Sequence, residues 1–168
     1  MRNAVIVSTA RTPIGRAYRG AFNNTPSPTL AGHVVAGSLE RAGLSIEQDG
    51  HLVEDVIMGC ALPQGVQSPN IGRLAALRSG LPTTAAGMSI DRQCASGLMA
   101  IATASKQVAF DGMDVVVAGG VESISMVQTE ALRTEADESL LAMRGDTYMS
   151  MLETAEIVAK RYNISRDA

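Results

Sequence analysis

Asp114-Val115-Val116-Val117-Ala118-Gly119-Gly120 is the stretch that decides the fold. Its apolar, β-branched run shows no polar alternation, so it reads as a strand buried on both faces, closed by the glycine pair. Just upstream, residues 94–110 carry small apolar side chains at helical spacing and stop at Asp111-Gly112. Before them, residues 87–90 form another short apolar run. Strand, helix, strand is a βαβ unit, which requires parallel pairing and helices over the sheet. The pattern repeats outward. Residues 70–79 predict a helix closed by Gly80-Leu81-Pro82, residues 55–58 a strand ending in Gly59-Cys60, and residues 29–42 a helix with Gly43 beyond its end. Residues 4–8, Ala-Val-Ile-Val-Ser, read as an opening strand broken by Thr12-Pro13-Ile14-Gly15.

Beyond Glu122 the pattern lapses. Residues 123–150 mix Met, Thr, Ser and acids without a period, and residues 152–162 turn helical again. The expected organisation is an α/β core domain over residues 1–122, with a mostly parallel sheet covered by helices, and a separate, incomplete segment over 123–168.

Composition narrows the function classes. The 168 residues are 46% hydrophobic and only 18% charged, which suits a buried core and excludes disorder. Fourteen basic against 17 acidic side chains leave a net charge of −3, so no basic excess is present to neutralise a nucleic-acid backbone. No apolar run is long enough for a membrane span, and the N-terminus lacks the pattern of a secretory signal. Two cysteines make no disulfide framework, and no His/Cys spacing suggests a metal, so a reduced, cytoplasmic chain is expected.

Chemistry is best sought in Ser89-Ile90-Asp91-Arg92-Gln93-Cys94-Ala95-Ser96-Gly97-Leu98. A strand ends, polar residues turn the chain, and Cys94 falls where a helix begins. Unpaired N–H groups and the positive helix end favour a thiolate at such a place. The small residues 95–97 would admit a bulky substrate. On spacing alone two readings stand for Cys94, a nucleophile or a small buried hydrophobe. Cys60, at a strand end with no helix behind it, reads as packing. His33 and His51 have no catalytic context, and Gly119-Gly120 is no phosphate-binding fingerprint. Glu122 has two readings, a base or a group that orients a neighbouring loop by hydrogen bonds, and the second is favoured. Glu130, Glu135, Asp137 and Glu138 read as a solvated face, and Met143, Met149 and Met151 as core filler.

The run Asp-Arg-Gln-Cys-Ala-Ser-Gly-Leu-Met-Ala-Ile at 91–101 resembles the acylated-cysteine motif of the thiolases, the acetyl-CoA acetyltransferases and 3-ketoacyl-CoA thiolases. Residues 4–15, 70–82, 117–125 and 151–163 resemble further family stretches in the family's order. The resemblance implies a thiolase-like βαβαβ N-terminal half and the start of the loop domain that covers coenzyme A. It implies that Cys94 is the catalytic nucleophile and that Met151 lines the pantetheine channel. Leu152 stands where many members have Gly, which bears on pocket shape. Acyl-CoA and CoA would be substrates, with no separate cofactor and no metal. The family's other reactive groups, a His in a Gly-rich motif, an Asn that holds a water and a second Cys, lie in a C-terminal half without counterpart here. The chain alone is therefore expected to lack turnover, and its partners to be a complementary C-terminal half or further copies in a homo-oligomer. The alternative is a non-catalytic acyl-CoA- or lipid-binding scaffold subunit of the same fold.

Overall fold

The protein is described by a computed structural model covering residues 2–133 and 135–167. It divides into two compact units, Met1–Leu132 and Arg133–Ala168. The first holds a sheet of three parallel strands: β1 (Val53–Gly59) in the centre, β2 (Ala86–Ile90) on one side and β3 (Val115–Gly120) on the other. Gly59 is in register with both Ile90 and Gly120, so the three strands finish together along one edge. The order of the strands reverses at β1, and that is where an α/β sheet opens a crevice beyond its carboxyl ends.

Helices cover both faces, as uniformly apolar strands require. Helix α1 (Ser27–Arg41) and helix α2 (Ile71–Ser79) bury Ala31, Val35, Leu39, Ile71, Ala75 and Ala76 against Val56 and Met58 of β1. Helix α3 (Ser96–Lys106) buries Ala100 and Ala104 against Ile57, with Val116 and Ala118 of β3 packed alongside. Adjacent residues Val56 and Ile57 thus serve opposite faces, the period-two geometry of a strand. The helix boundaries follow local chemistry. Asn70 caps α2 by accepting the Arg73 N–H at 3.1 Å, and Gly80 ends it in the left-handed region at φ 95°. Helix α3 runs on as a wider π-turn, Gln107–Asp111, before Gly112 stops it.

The opening strand expected at residues 4–8 does not form. Val5, Ile6 and Val7 are each about three-quarters exposed and pair with no strand. Their side chains suit a strand, but a strand also needs a neighbouring backbone to bond to, which side-chain preference does not supply. Side chains tether the segment instead. The Arg2 guanidinium pairs with the Asp114 carboxylate, Ser8 donates to the Ser38 carbonyl at 2.7 Å, and Arg41 donates to the Thr9 carbonyl at 2.9 Å.

The second unit contains a short helix, Glu138–Met143, capped by the Asp137 carboxylate, and helix α4 (Met151–Tyr162). Ser150 and Glu153 form a reciprocal capping box at the start of α4, and Asn163 closes it at φ 52°. Neither helix has a buried residue. Met143 and Met151 are exposed rather than core filler, because neither helix of this unit buries a face for them to join.

Candidate active site

Cys94 is exposed and stands two residues ahead of the first residue of α3, beyond the carboxyl end of β2. The helix begins at Ser96, not at Cys94 as the spacing alone suggested, and Ala95 caps it without any side-chain hydrogen bond. No side chain therefore takes up an N–H group of the first turn of α3, although the Ser96 N–H itself is bonded within the preceding turn.

The turn that delivers Cys94 is built from five neighbouring residues. The Asp91 carboxylate accepts the Gln93 N–H at 2.7 Å. Gln93 adopts φ 47°, in the left-handed region that side chains with a Cβ rarely occupy. Ala95 N–H returns to the Arg92 carbonyl at 3.1 Å and Ser96 N–H to the Gln93 carbonyl at 3.0 Å. The Ser96 hydroxyl accepts the Arg92 N–H at 2.8 Å and donates to the Gln93 carbonyl at 2.5 Å.

This turn rests directly on the sheet. A Cβ on Gly59, the last residue of β1, would lie 2.2 Å from the Ser96 carbonyl carbon, and one on Gly120 would lie 3.2 Å from the Gly97 Cα. Glycine at these positions lets α3 approach the strand ends backbone to backbone. The smallness of Ser96 and Gly97 serves this packing, whereas only Ala95 of the three faces solvent. Of the pair Gly119-Gly120 only Gly120 has this close-approach role, since a Cβ on Gly119 would meet nothing nearer than the Met58 side chain at 4.0 Å.

Cys60 follows β1 directly and donates its N–H to the Ile90 carbonyl at 2.9 Å. Its side chain is buried, 2% exposed. The Gln67 amide donates to its sulfur at 3.1 Å, and its own thiol points to Glu122 Oε1 at 3.7 Å. Burial, reinforced by the Glu122 charge, pushes the Cys60 thiol up from 9.0 to about 11. At neutral pH it stays protonated, as poor a nucleophile as a thiol can be.

Gln67 organises the surrounding loop and has no sequence signal of its own. It is fully buried, donates to the Leu62 carbonyl and to Glu122 Oε1 at 2.6 Å each, and accepts from Ser123 N–H at 2.6 Å and the Ser27 hydroxyl at 2.8 Å. Glu122 also accepts the Ala61 N–H at 2.8 Å, so its carboxylate ties the chain leaving β1 to the chain leaving β3. That is the loop-orienting part the sequence suggested for it. His33 and His51 are exposed. Met151 is the first residue of α4 and 73% exposed. One open cleft lies within residues 145–157 and another between residues 11–13 and α1, and neither is lined by Cys94. Among the described residues no cluster of His, Cys, Asp and Glu could hold a metal ion, and no helix is long and apolar enough to cross a membrane.

The family profile described as "Thiolase, N-terminal domain" matches residues 4–168. The chain belongs to the thiolase family. Among its relatives, the 3-ketoacyl-CoA thiolase of Bacillus subtilis (strain 168) is 38% identical over 167 residues, which are 99% of this chain and 42% of that protein. The acetyl-CoA acetyltransferase of Shinella zoogloeoides is 33% identical over 177 residues, 98% of this chain and 43% of that one. Among solved structures, the Bacillus anthracis acetyl-CoA acetyltransferase superposes with a TM-score of 0.78 at 34% identity, covering 99% of this thiolase chain and 43% of its own. The α/β fold with a parallel sheet is therefore the thiolase fold, and the chain spans less than half the length of these relatives.

Proposed function

We propose that this chain is the acyl-accepting N-terminal half of a thiolase, with Cys94 as the nucleophile. The observation that carries the reading is the exposed thiol held just ahead of an uncapped helix start, at the carboxyl edge of a parallel sheet. Its membership of a family whose relatives bear the names 3-ketoacyl-CoA thiolase and acetyl-CoA acetyltransferase supplies the substrate class.

The Cys94 thiolate attacks the carbonyl carbon of an acyl-CoA, the carbonyl electron pair moves onto oxygen, and the tetrahedral intermediate collapses by expelling the CoA thiolate. The acyl group is then a thioester of Cys94. The α-carbanion of a second acetyl-CoA attacks that carbonyl, forms the new carbon–carbon bond and releases the Cys94 thiolate, giving a 3-ketoacyl-CoA; the reverse sequence is thiolysis. Each step places negative charge on a carbonyl oxygen, and preorganised N–H donors are the chief means of stabilising it. The Cys94 N–H is one such donor. The proton-transferring groups are supplied by the C-terminal half, on the same polypeptide or another, and this sequence alone does not turn over. Residues 123–168 begin the domain that covers CoA, with Met151 facing the pantetheine arm, and the assembled protein is a cytoplasmic homo-oligomer.

Iodoacetamide labelling at neutral pH, read by peptide mass spectrometry, tests the assignment. Cys94 is expected to label well ahead of Cys60 and to be protected by acetyl-CoA. Equal labelling of the two, or no protection, contradicts it and favours a scaffold of the same fold. Incubation with acetoacetyl-CoA and CoA should give no sustained acetyl-CoA production from this chain alone.

A further inference from the structure

We infer that Ser96 is a positioning residue for Cys94: its buried hydroxyl locks the Arg92–Gln93–Cys94 turn in the left-handed conformation that sets the sulfur over the start of α3. The inference rests on Cys94 being the nucleophile, but concerns how the chain holds it.

A serine at the N-cap of a helix serves the helix by accepting one of its unpaired N–H groups, but that position belongs to Ala95, and Ser96 is one residue further on. Ser96 faces backward, accepting the Arg92 N–H at 2.8 Å and donating to the Gln93 carbonyl at 2.5 Å. Both bonds lie in the turn before the helix, and α3 is left without a side-chain cap. The turn needs such a clamp for two reasons. Gln93 sits at φ 47°, where a Cβ crowds the backbone. Residues 91–95 are also all exposed, so no burial holds them there. Asp91 fixes the Gln93 N–H, the Ser96 hydroxyl joins the Ser96 N–H in fixing the Gln93 carbonyl, and the residue is held on both sides.

Ser96 is itself anchored. It is 4% exposed, and its main chain is pressed so closely on Gly59 that no Cβ fits between them. The hydroxyl therefore transmits the position of a rigid strand end to an exposed turn. Without it, Gln93 relaxes out of the left-handed region and Cys94 loses its fixed place two residues ahead of the start of α3, the end of a helix that favours a thiolate.

Four variants of the full chain test this, each followed by the iodoacetamide labelling rate of Cys94, with thermal unfolding as a control. Ser96→Ala is expected to slow Cys94 about fivefold, the loss that a helix-end contribution of order 1 kcal/mol corresponds to. Adding Gln93→Gly to Ser96→Ala is expected to restore most of the rate, because glycine occupies the left-handed region without the clamp. Ser96→Thr should keep the rate and the equally bulky Ser96→Val should lose it, which carries the test even if Ser96→Ala unfolds. Wild-type labelling in Ser96→Ala or Ser96→Val, or no recovery on adding Gln93→Gly, overturns the inference. A wild-type chain whose Cys94 labels no faster than Cys60 instead overturns the assignment of Cys94 as nucleophile.

Discussion

Cys60 and Cys94 leave the same edge of the same sheet, yet they are opposite in character. Cys60 follows β1 at once, and the Gln67–Glu122 network closes over it. Cys94 follows β2 by four residues, after a polar turn, and reaches solvent ahead of α3. Burial and a neighbouring carboxylate suppress ionisation of the first, whereas the second stands exposed ahead of a helix start that has no side-chain cap. A thiol's chemistry here is set by the path of the chain after the strand, not by the strand. The central strand keeps its cysteine in the core, and the flanking strand sends its cysteine out.

The sharpest way to break that contrast is to delete one thiol. Cys94→Ala should abolish fast iodoacetamide labelling while changing stability by no more than about 0.5 kcal/mol, since the side chain is exposed. Urea unfolding read beside the labelling rate checks both parts. Gly59→Ala should instead cost about 3 kcal/mol or more, because its Cβ meets the Ser96 carbonyl carbon at 2.2 Å and neither strand nor helix can retreat cheaply. It should slow Cys94 as well, although Gly59 touches no thiol.

On the Cys60 side, Gln67→Ala removes the partner of Ser27, of the Ser123 N–H and of the Leu62 carbonyl. Orphaned groups in a buried site predict a loss of about 2 to 3 kcal/mol by chemical denaturation, with Cys94 labelling little changed. The smallest effect is one of pH. The folded state holds the Cys60 thiol at about 11, above its ordinary 9.0, so its contribution is fully present below pH 9.0 and is lost as pH rises through about 11. The loss, on the order of 2 kcal/mol, should be missing from the pH profile of Cys60→Ala.

Much of this arrangement was legible in the sequence. The apolar run 115–118, Asn70 and Gly80 around α2, and Gly43 beyond α1 specify their elements through burial period, capping and left-handed backbone. The polar turn between a strand and a small-residue helix left two readings for Cys94, a nucleophile or a buried hydrophobe, and the structure shows the thiol exposed rather than buried. The unpaired segment at 4–8 was misread because side-chain preference does not report whether a neighbouring strand is there to bond to. Gln67 was invisible, since a glutamine in a loop of Pro, Gln and Gly looks solvated until three chain segments close around it. The part played by Ser96 was hidden for a related reason: its partners, Arg92 and Gln93, are close in sequence, but the conformation it secures is backbone geometry, which composition does not reveal.

Brief incubation of the chain with acetyl-CoA, followed by acid quenching and peptide mapping, examines the central claim most directly. The predicted result is one acetyl group, bound as a hydroxylamine-labile thioester, on the peptide bearing Cys94 and absent from the peptide bearing Cys60. Acetylation of Cys60, of both cysteines equally, or of neither would contradict it.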